Sequence, residues 1–215
     1  MNKHMTEKQL KERKLKFKKV SRILSKLFPR AKIALNYKNN WELLVAVQLS
    51  AQCTDKKVNE VTAKLFKKYR KLDDYMRANQ HEFEKDIYET GFYRNKARNI
   101  LKAAKVIKEQ YGGKLPHAME EIKKVPGVGR KSANVILGNA YGVVEGIAVD
   151  THVMRLARVL GLSSEKTPEK IEQDLMKIVP RKEWLTVAYR IIDYGRKYCP
   201  ARPHKHELCP LIKIK

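Results

Sequence analysis

Apolar residues recur along this chain mainly at helical spacing. Between Thr6 and Phe28 the positions Phe17, Val20, Leu24, Leu27 and Phe28 mark one face, Lys and Arg fill the other, and Pro29 stops the run. Trp41 to Gln52 is apolar nearly all round (Trp41, Leu43, Leu44, Val45, Ala46, Val47, Leu49), the pattern of a helix enclosed by its neighbours. Thr54 or Asp55 is placed to cap a following helix with Val58, Val61, Leu65 and Tyr69 on its inner face. Asn95 to Tyr111 reads as another helix, with Ile100, Ala104 and Ile107 inward and Gly112-Gly113 as its stop. Further helices are predicted over His117–Lys124, Lys131–Ala140, Thr151–Leu160, Pro168–Ile178 and Arg181–Tyr198. Long period-2 alternation is absent, and the connections are short and carry Gly or Pro. The pattern predicts an all-α fold without internal repeats or low-complexity linkers.

Charge adds a partner class. The sequence has 47 Lys+Arg and 23 Asp+Glu, a net charge of +24, which attracts polyanions and nucleic acid first among them. Ribosome association, a lysine-biased genome or an anionic membrane surface would leave the same signature. Hydrophobic content of 43% in 215 residues is enough for a buried core. No run of 18 apolar residues occurs, so a transmembrane helix is excluded, and no apolar signal core precedes Leu35, so secretion is not expected. Cys53, Cys199 and Cys209 are too few for a disulfide framework and fit a reducing compartment. A soluble cytoplasmic protein, nucleoid-associated and without a membrane segment, is the expectation.

Chemistry concentrates in Val125-Pro126-Gly127-Val128-Gly129-Arg130-Lys131. Two glycines flanking one residue allow a tight turn with exposed backbone N–H groups, and the next helix directs its positive end the same way. Such a helix–hairpin–helix suits a single phosphate of a duplex, held without reading sequence. Gly-x-Gly alone would equally be an ordinary helix–helix turn. The positive helix end and Arg130 disfavour a charged ammonium at Lys131, as would partial burial, and a lysine so placed can act as a nucleophile. Phosphate binding or plain solvation is the competing role. Asp150, in Ile147-Ala148-Val149-Asp150-Thr151-His152, precedes Val153, Leu156 and Leu160 at helical spacing and reads as an N-cap. A fixed carboxylate there would also stabilise positive charge at an anomeric carbon. Spacing alone does not pair it with Lys131.

Four segments carry a resemblance: LSAQCTDKKVNEVTAKLF (Leu49–Phe66), ETGFYRNKARNI (Glu89–Ile100), VPGVGRKSANVILGNAYG (Val125–Gly142) and IAVDTHVMRLARVLGL (Ile147–Leu162). In this order they resemble the endonuclease III family of helix–hairpin–helix DNA glycosylases, over about Phe17 to Cys209. The resemblance implies base excision from duplex DNA with damaged bases or abasic sites, a damaged pyrimidine being rotated out of the stack. Lys131 matches the catalytic lysine, which would form a Schiff base at C1′ and allow β-elimination 3′ to the lesion. Asp150 matches the catalytic aspartate. Gln52 matches the residue filling the hole left by the extruded nucleotide. Phe92 matches an apolar wedge, commonly Leu, with core packing as its alternative. Gly127 and Gly129 match hairpin phosphate contacts. The family architecture implies a six-helix module over 33–144 carrying the hairpin. A second module of 1–32 plus 145–215 and a DNA groove between the two would complete it. A monomer is expected.

At the C-terminus the sequence departs from the family. The usual [4Fe–4S] motif, C-x6-C-x2-C-x5-C, counted from Cys199 would require cysteines where His206, Cys209 and Lys215 stand. With two thiolates of four, no cluster is expected. Cys199, His204, His206 and Cys209 also form C-x4-H-x-H-x2-C, a tight and unusual zinc spacing. The reading preferred on sequence is a loop packed by Pro200, Pro203 and Pro210 with no metal. Two other functions compete with the bifunctional glycosylase. A monofunctional mispair glycosylase tends to lack a lysine at position 131, and a non-enzymatic DNA-binding module would not need both Asp150 and Gln52.

Overall fold

In a computed structural model residues 6–212 are described, and they form eleven α-helices, three 3₁₀ turns and no strand. The helices are α1 (Glu7–Leu27), α2 (Asn40–Leu49), α3 (Asp55–Lys68), α4 (Leu72–Arg77), α5 (Gln80–Asp86), α6 (Tyr93–Tyr111), α7 (Met119–Ile122), α8 (Arg130–Tyr141), α9 (Thr151–Val159), α10 (Pro168–Ile178) and α11 (Trp184–Lys197). They gather into two units, one continuous over Ala34–Val143, the other made of Met1–Ile33 with Val144–Lys215.

The continuous unit is built on α2. All eight residues from Glu42 to Leu49 are buried, which is why the apolar pattern runs round the helix instead of along one stripe. Helices α3, α6 and α8 pack against it, contributing Val58 and Leu65, Ile100 and Ala104, and Ile136 and Leu137. Replacing one such Leu by Ala costs about 2–5 kcal/mol. Thr54, not Asp55, caps α3, accepting from the Lys57 N–H. Helices α4 and α5, six and seven residues long, were not predicted by periodicity because each offers one large anchor. Of those anchors, Phe83 meets Tyr69 and Tyr75 edge-on, and Tyr75 lies tilted against Tyr69 and edge-on to Trp41. Where a helix was expected over His117–Lys124, only the turn Met119–Ile122 is α-helical.

The discontinuous unit buries the apolar stripe of α1, Phe17, Val20 and Leu24, against α10 and α11. Asp174 of α10 accepts from Arg13 of α1 at 3.0 Å and from the Ser163 hydroxyl at 2.7 Å, so its buried charge is compensated. Helix α9 packs on α11 where Gly195 lets it approach; a Cβ there would lie 3.0 Å from Leu156. Arg181–Glu183, predicted as the start of the last helix, is a 3₁₀ turn ahead of α11.

Candidate active site

The hairpin is a turn with a sharp division of labour. The Val128 N–H donates to Val125 O at 3.1 Å, with Pro126 second and Gly127 third at φ +79°, the residue pattern of a type II turn. Val125 and Val128 are buried and anchor it. Gln48, buried in α2, donates from Nε2 to Pro126 O at 2.8 Å. A Cβ on Gly127 would lie 2.8 Å from the Gln48 side-chain oxygen, so glycine is required there twice, by φ and by space. Gly129 is different. It is the N-cap of α8 with φ −91° and open space around a built Cβ, so the expectation that both glycines serve the turn's conformation fails for it. As a glycine N-cap, Gly129 makes no side-chain cap bond.

Lys131 is the second residue of α8 and is exposed, so burial does not govern its chemistry. Behind it Ala133 to Gly138 are buried, which fixes the helix that carries it. Asp150 belongs to the discontinuous unit and is the N-cap of α9. One carboxylate oxygen accepts from the Val153 N–H at 2.8 Å. The capping role foreseen for it is therefore present.

Gln52 and Phe92 share an unusual property. Among the described residues they are the two non-glycine positions with positive φ, +52° and +48°. An L-residue held there costs about 1–2 kcal/mol, and both are exposed, so neither offsets that cost by packing. Phe92 is 66% exposed, which removes core packing as its role. Helix α2 ends at Leu49, so Gln52 sits in the turn closed by Cys53 N–H to Ser50 O and not on a helix as the sequence pattern suggested.

One buried lysine ties these two turns together. Lys96 of α6 donates from Nζ to Leu49 O and to Thr90 O, each at 2.8 Å, and burial pushes its pKa below the ordinary lysine value. Leu49 precedes the Gln52 turn and Thr90 precedes Phe92, so one ammonium group pins both. Sequence reasoning missed Lys96 and Gln48. A signal existed for each: Lys96 stands four residues before Ile100 on the inward face, and Gln48 interrupts an apolar run.

In the discontinuous unit Cys199, His204, His206 and Cys209 offer one ligand atom each, all within 4.8 Å of one another, a potential four-ligand metal cluster.

The expected motifs thus fall at one hairpin, two adjoining turns and one helix cap. Residues 45–181 match the HhH-GPD superfamily of base excision DNA repair proteins. The endonuclease III of Bacillus subtilis (strain 168) is 46% identical over 189 residues, covering 87% of this chain and 86% of that protein. The chain belongs to the endonuclease III family. That of Synechocystis sp. (strain ATCC 27184 / PCC 6803 / Kazusa) is 45% identical over 192 residues, covering 89% and 88%. An endonuclease III solved as a trapped covalent intermediate with DNA, an estranged-adenine complex, is 44% identical with a TM-score of 0.89 over 94% of both chains. Membership carries bifunctional DNA glycosylase and abasic-site lyase activity, so this chain is an enzyme of base excision repair. No helix among the described residues is long and apolar enough to cross a membrane.

The family's four-cysteine cluster does not fit this chain. Three cysteines occur in all; Cys53 belongs to the continuous unit, Cys199 and Cys209 to the discontinuous one. Position 206 is a histidine, and Lys215 lies outside the described residues.

Proposed function

We propose that this enzyme removes oxidised pyrimidines from duplex DNA through Lys131 and then cuts the strand 3′ to the abasic site. The observation that carries the reading is the placement of Lys131, exposed on the second residue of α8 directly behind a hairpin fixed by Gln48 and Gly127. The relative solved as a trapped covalent intermediate with DNA supports a reaction that passes through a protein–DNA bond.

In this mechanism the Lys131 nitrogen bonds to the deoxyribose C1′ as the glycosidic bond breaks and the base leaves with its electron pair. Ring opening gives a protonated Schiff base. That cation acidifies the C2′ proton, and its removal expels the 3′ phosphate. Asp150 assists deprotonation of the attacking amine and faces the positive charge that develops at the sugar. Gln52 fills the space of the extruded nucleotide and Phe92 wedges beside the opposite base, roles that suit two exposed side chains on backbones held at positive φ. Gly127 and Gly129 shape a hairpin that accepts a backbone phosphate. The partner is double-stranded DNA carrying damaged bases or abasic sites, met by a monomer in the nucleoid-bearing cytoplasm. No membrane takes part.

Borohydride reduction during turnover of a thymine-glycol duplex tests this reading. A protein–DNA adduct mapped by mass spectrometry to Lys131, and lost in Lys131→Gln, is the expected result. An adduct on another residue overturns it.

A further inference from the structure

The segment after α11 brings four ligand atoms together from eleven residues. Cys199 Sγ lies 3.9 Å from His206 Nδ1, and Cys209 Sγ lies 3.4 Å from His204 Nε2 and 4.0 Å from His206 Nδ1. A tetrahedral zinc with bonds of about 2.3 Å to sulfur and about 2.0–2.1 Å to nitrogen sets its S···N edges at roughly 3.5 Å. The observed separations bracket that edge, so one ion fits with small side-chain shifts.

Hydrogen bonding orients the donors. His204 Nδ1 is 2.9 Å from Arg202 O, and because a carbonyl can only accept, Nδ1 carries the proton and Nε2 presents its lone pair toward Cys209. Anchoring of the distal ring nitrogen in this way is the usual outer-shell support of a metal-bound imidazole. Arg155 reaches from α9 with Nη1 3.4 Å from Cys199 Sγ and Nη2 on Cys199 O, which holds that sulfur in place at the end of α11. Both cysteines are fully buried and belong to the apolar core of this unit.

We infer that Cys199, His204, His206 and Cys209 bind one zinc ion as a closed structural site, where the family's motif would hold an iron–sulfur cluster. Two thiolates and two imidazoles in tetrahedral reach select zinc over the harder divalent ions. Binding releases the two thiol protons, including the one Cys209 shares with Tyr198 O at 2.9 Å. With all four positions filled by protein, no site is left for water or substrate, so the ion supports structure and not the chemistry of Lys131. It joins the end of α11 to Cys209 and thereby to Leu211, whose N–H donates to the buried Tyr194 hydroxyl.

Elemental analysis of the full-length protein, purified without chelator, is expected to give one zinc per chain. Cobalt(II) exchanged into it should produce the intense visible bands of a tetrahedral site with sulfur-to-metal charge transfer. Cys199→Ser, Cys209→Ser, His204→Ala and His206→Ala should each lose those bands, and Cys53→Ser should keep them. The two histidine variants alter side chains that are not fully buried, so they stay informative if a cysteine variant fails to fold. Chelation should lower the melting temperature by about 10 °C, the effect of removing a ligand held near a thousand times its dissociation constant. Iron with acid-labile sulfide, a protein without stoichiometric metal or cobalt bands, bands surviving in either histidine variant, or a Cys199–Cys209 disulfide would each overturn the assignment.

Discussion

Two lysines in the continuous unit stand in opposite surroundings. Lys96 is buried, with its ammonium hydrogens directed at Leu49 O and Thr90 O and a pKa lowered by desolvation. Lys131 is exposed at the entrance of α8. By the rule that perturbed groups mark active sites, Lys96 is the stronger candidate nucleophile. Access reverses that ranking: a nitrogen enclosed by protein and bonded to two carbonyls cannot reach a sugar. The contrast separates the scaffold, where Lys96, Gln48 and Gly127 fix turns from inside, from the proposed working surface, where Lys131, Phe92 and Gln52 are exposed.

The largest effect expected is on the exposed lysine. Lys131→Gln should cut excision by about a thousandfold or more, with duplex affinity and melting temperature nearly unchanged. Single-turnover base release beside a binding titration measures both. Residual turnover trapped on Lys96 would break the contrast outright. Asp150→Asn comes next. Asparagine caps as well as aspartate, so α9 should keep its bond to the Val153 N–H, while loss of the charge slows excision about a hundredfold. Parallel losses of melting temperature and excision would make Asp150 a cap alone.

Lys96→Met sharpens the scaffold side. Methionine matches the length of the stem but leaves two buried carbonyls without their donor, at about 1–3 kcal/mol each. Denaturant unfolding should report that loss. Excision should fall about tenfold as the Gln52 and Phe92 turns loosen, with the borohydride adduct still on Lys131. A variant as stable as the parent would mean the two strained turns hold themselves.

The same division explains what the sequence could disclose. Long amphipathic helices such as α1 and α6 were legible because periodicity reports burial along a stripe. Helices α4 and α5 were not, since each rests on one aromatic anchor whose partners are distant in sequence. Lys131 was singled out by its place after the hairpin, and Gln52 and Phe92 by motif resemblance, which points to surface positions. The left-handed backbones at Gln52 and Phe92 and the lysine bracing them were not, because a residue bonding two carbonyls through its side chain leaves no local pattern. The Cys/His segment showed its ligand types, but the preferred sequence reading was a metal-free loop. The convergence of the four atoms depends on how the chain turns after α11.

The smallest effects, and the most discriminating, are in the hairpin, where the scaffold and the working surface are two residues apart. Gly127→Ala must hold an L-residue at φ +79° and set a Cβ 2.8 Å from the Gln48 oxygen, loosening the bond from Gln48 to Pro126 O. A stability loss of about 2–3 kcal/mol is expected from the backbone strain and the displaced hydrogen bond together. Gly129→Ala meets neither problem, since its φ is −91° and its surroundings are open, so stability should change by about 1 kcal/mol or less. Its methyl group would nevertheless stand at the start of α8, where the proposed phosphate approaches the backbone N–H groups. Affinity for duplex carrying an abasic-site analogue should therefore fall several-fold in Gly129→Ala with the melting temperature kept. The deficit should grow at low salt, where phosphate contacts contribute most. If instead Gly129→Ala melts early and binds normally, the second glycine belongs to the scaffold, and the boundary drawn between the two regions lies one turn further along α8.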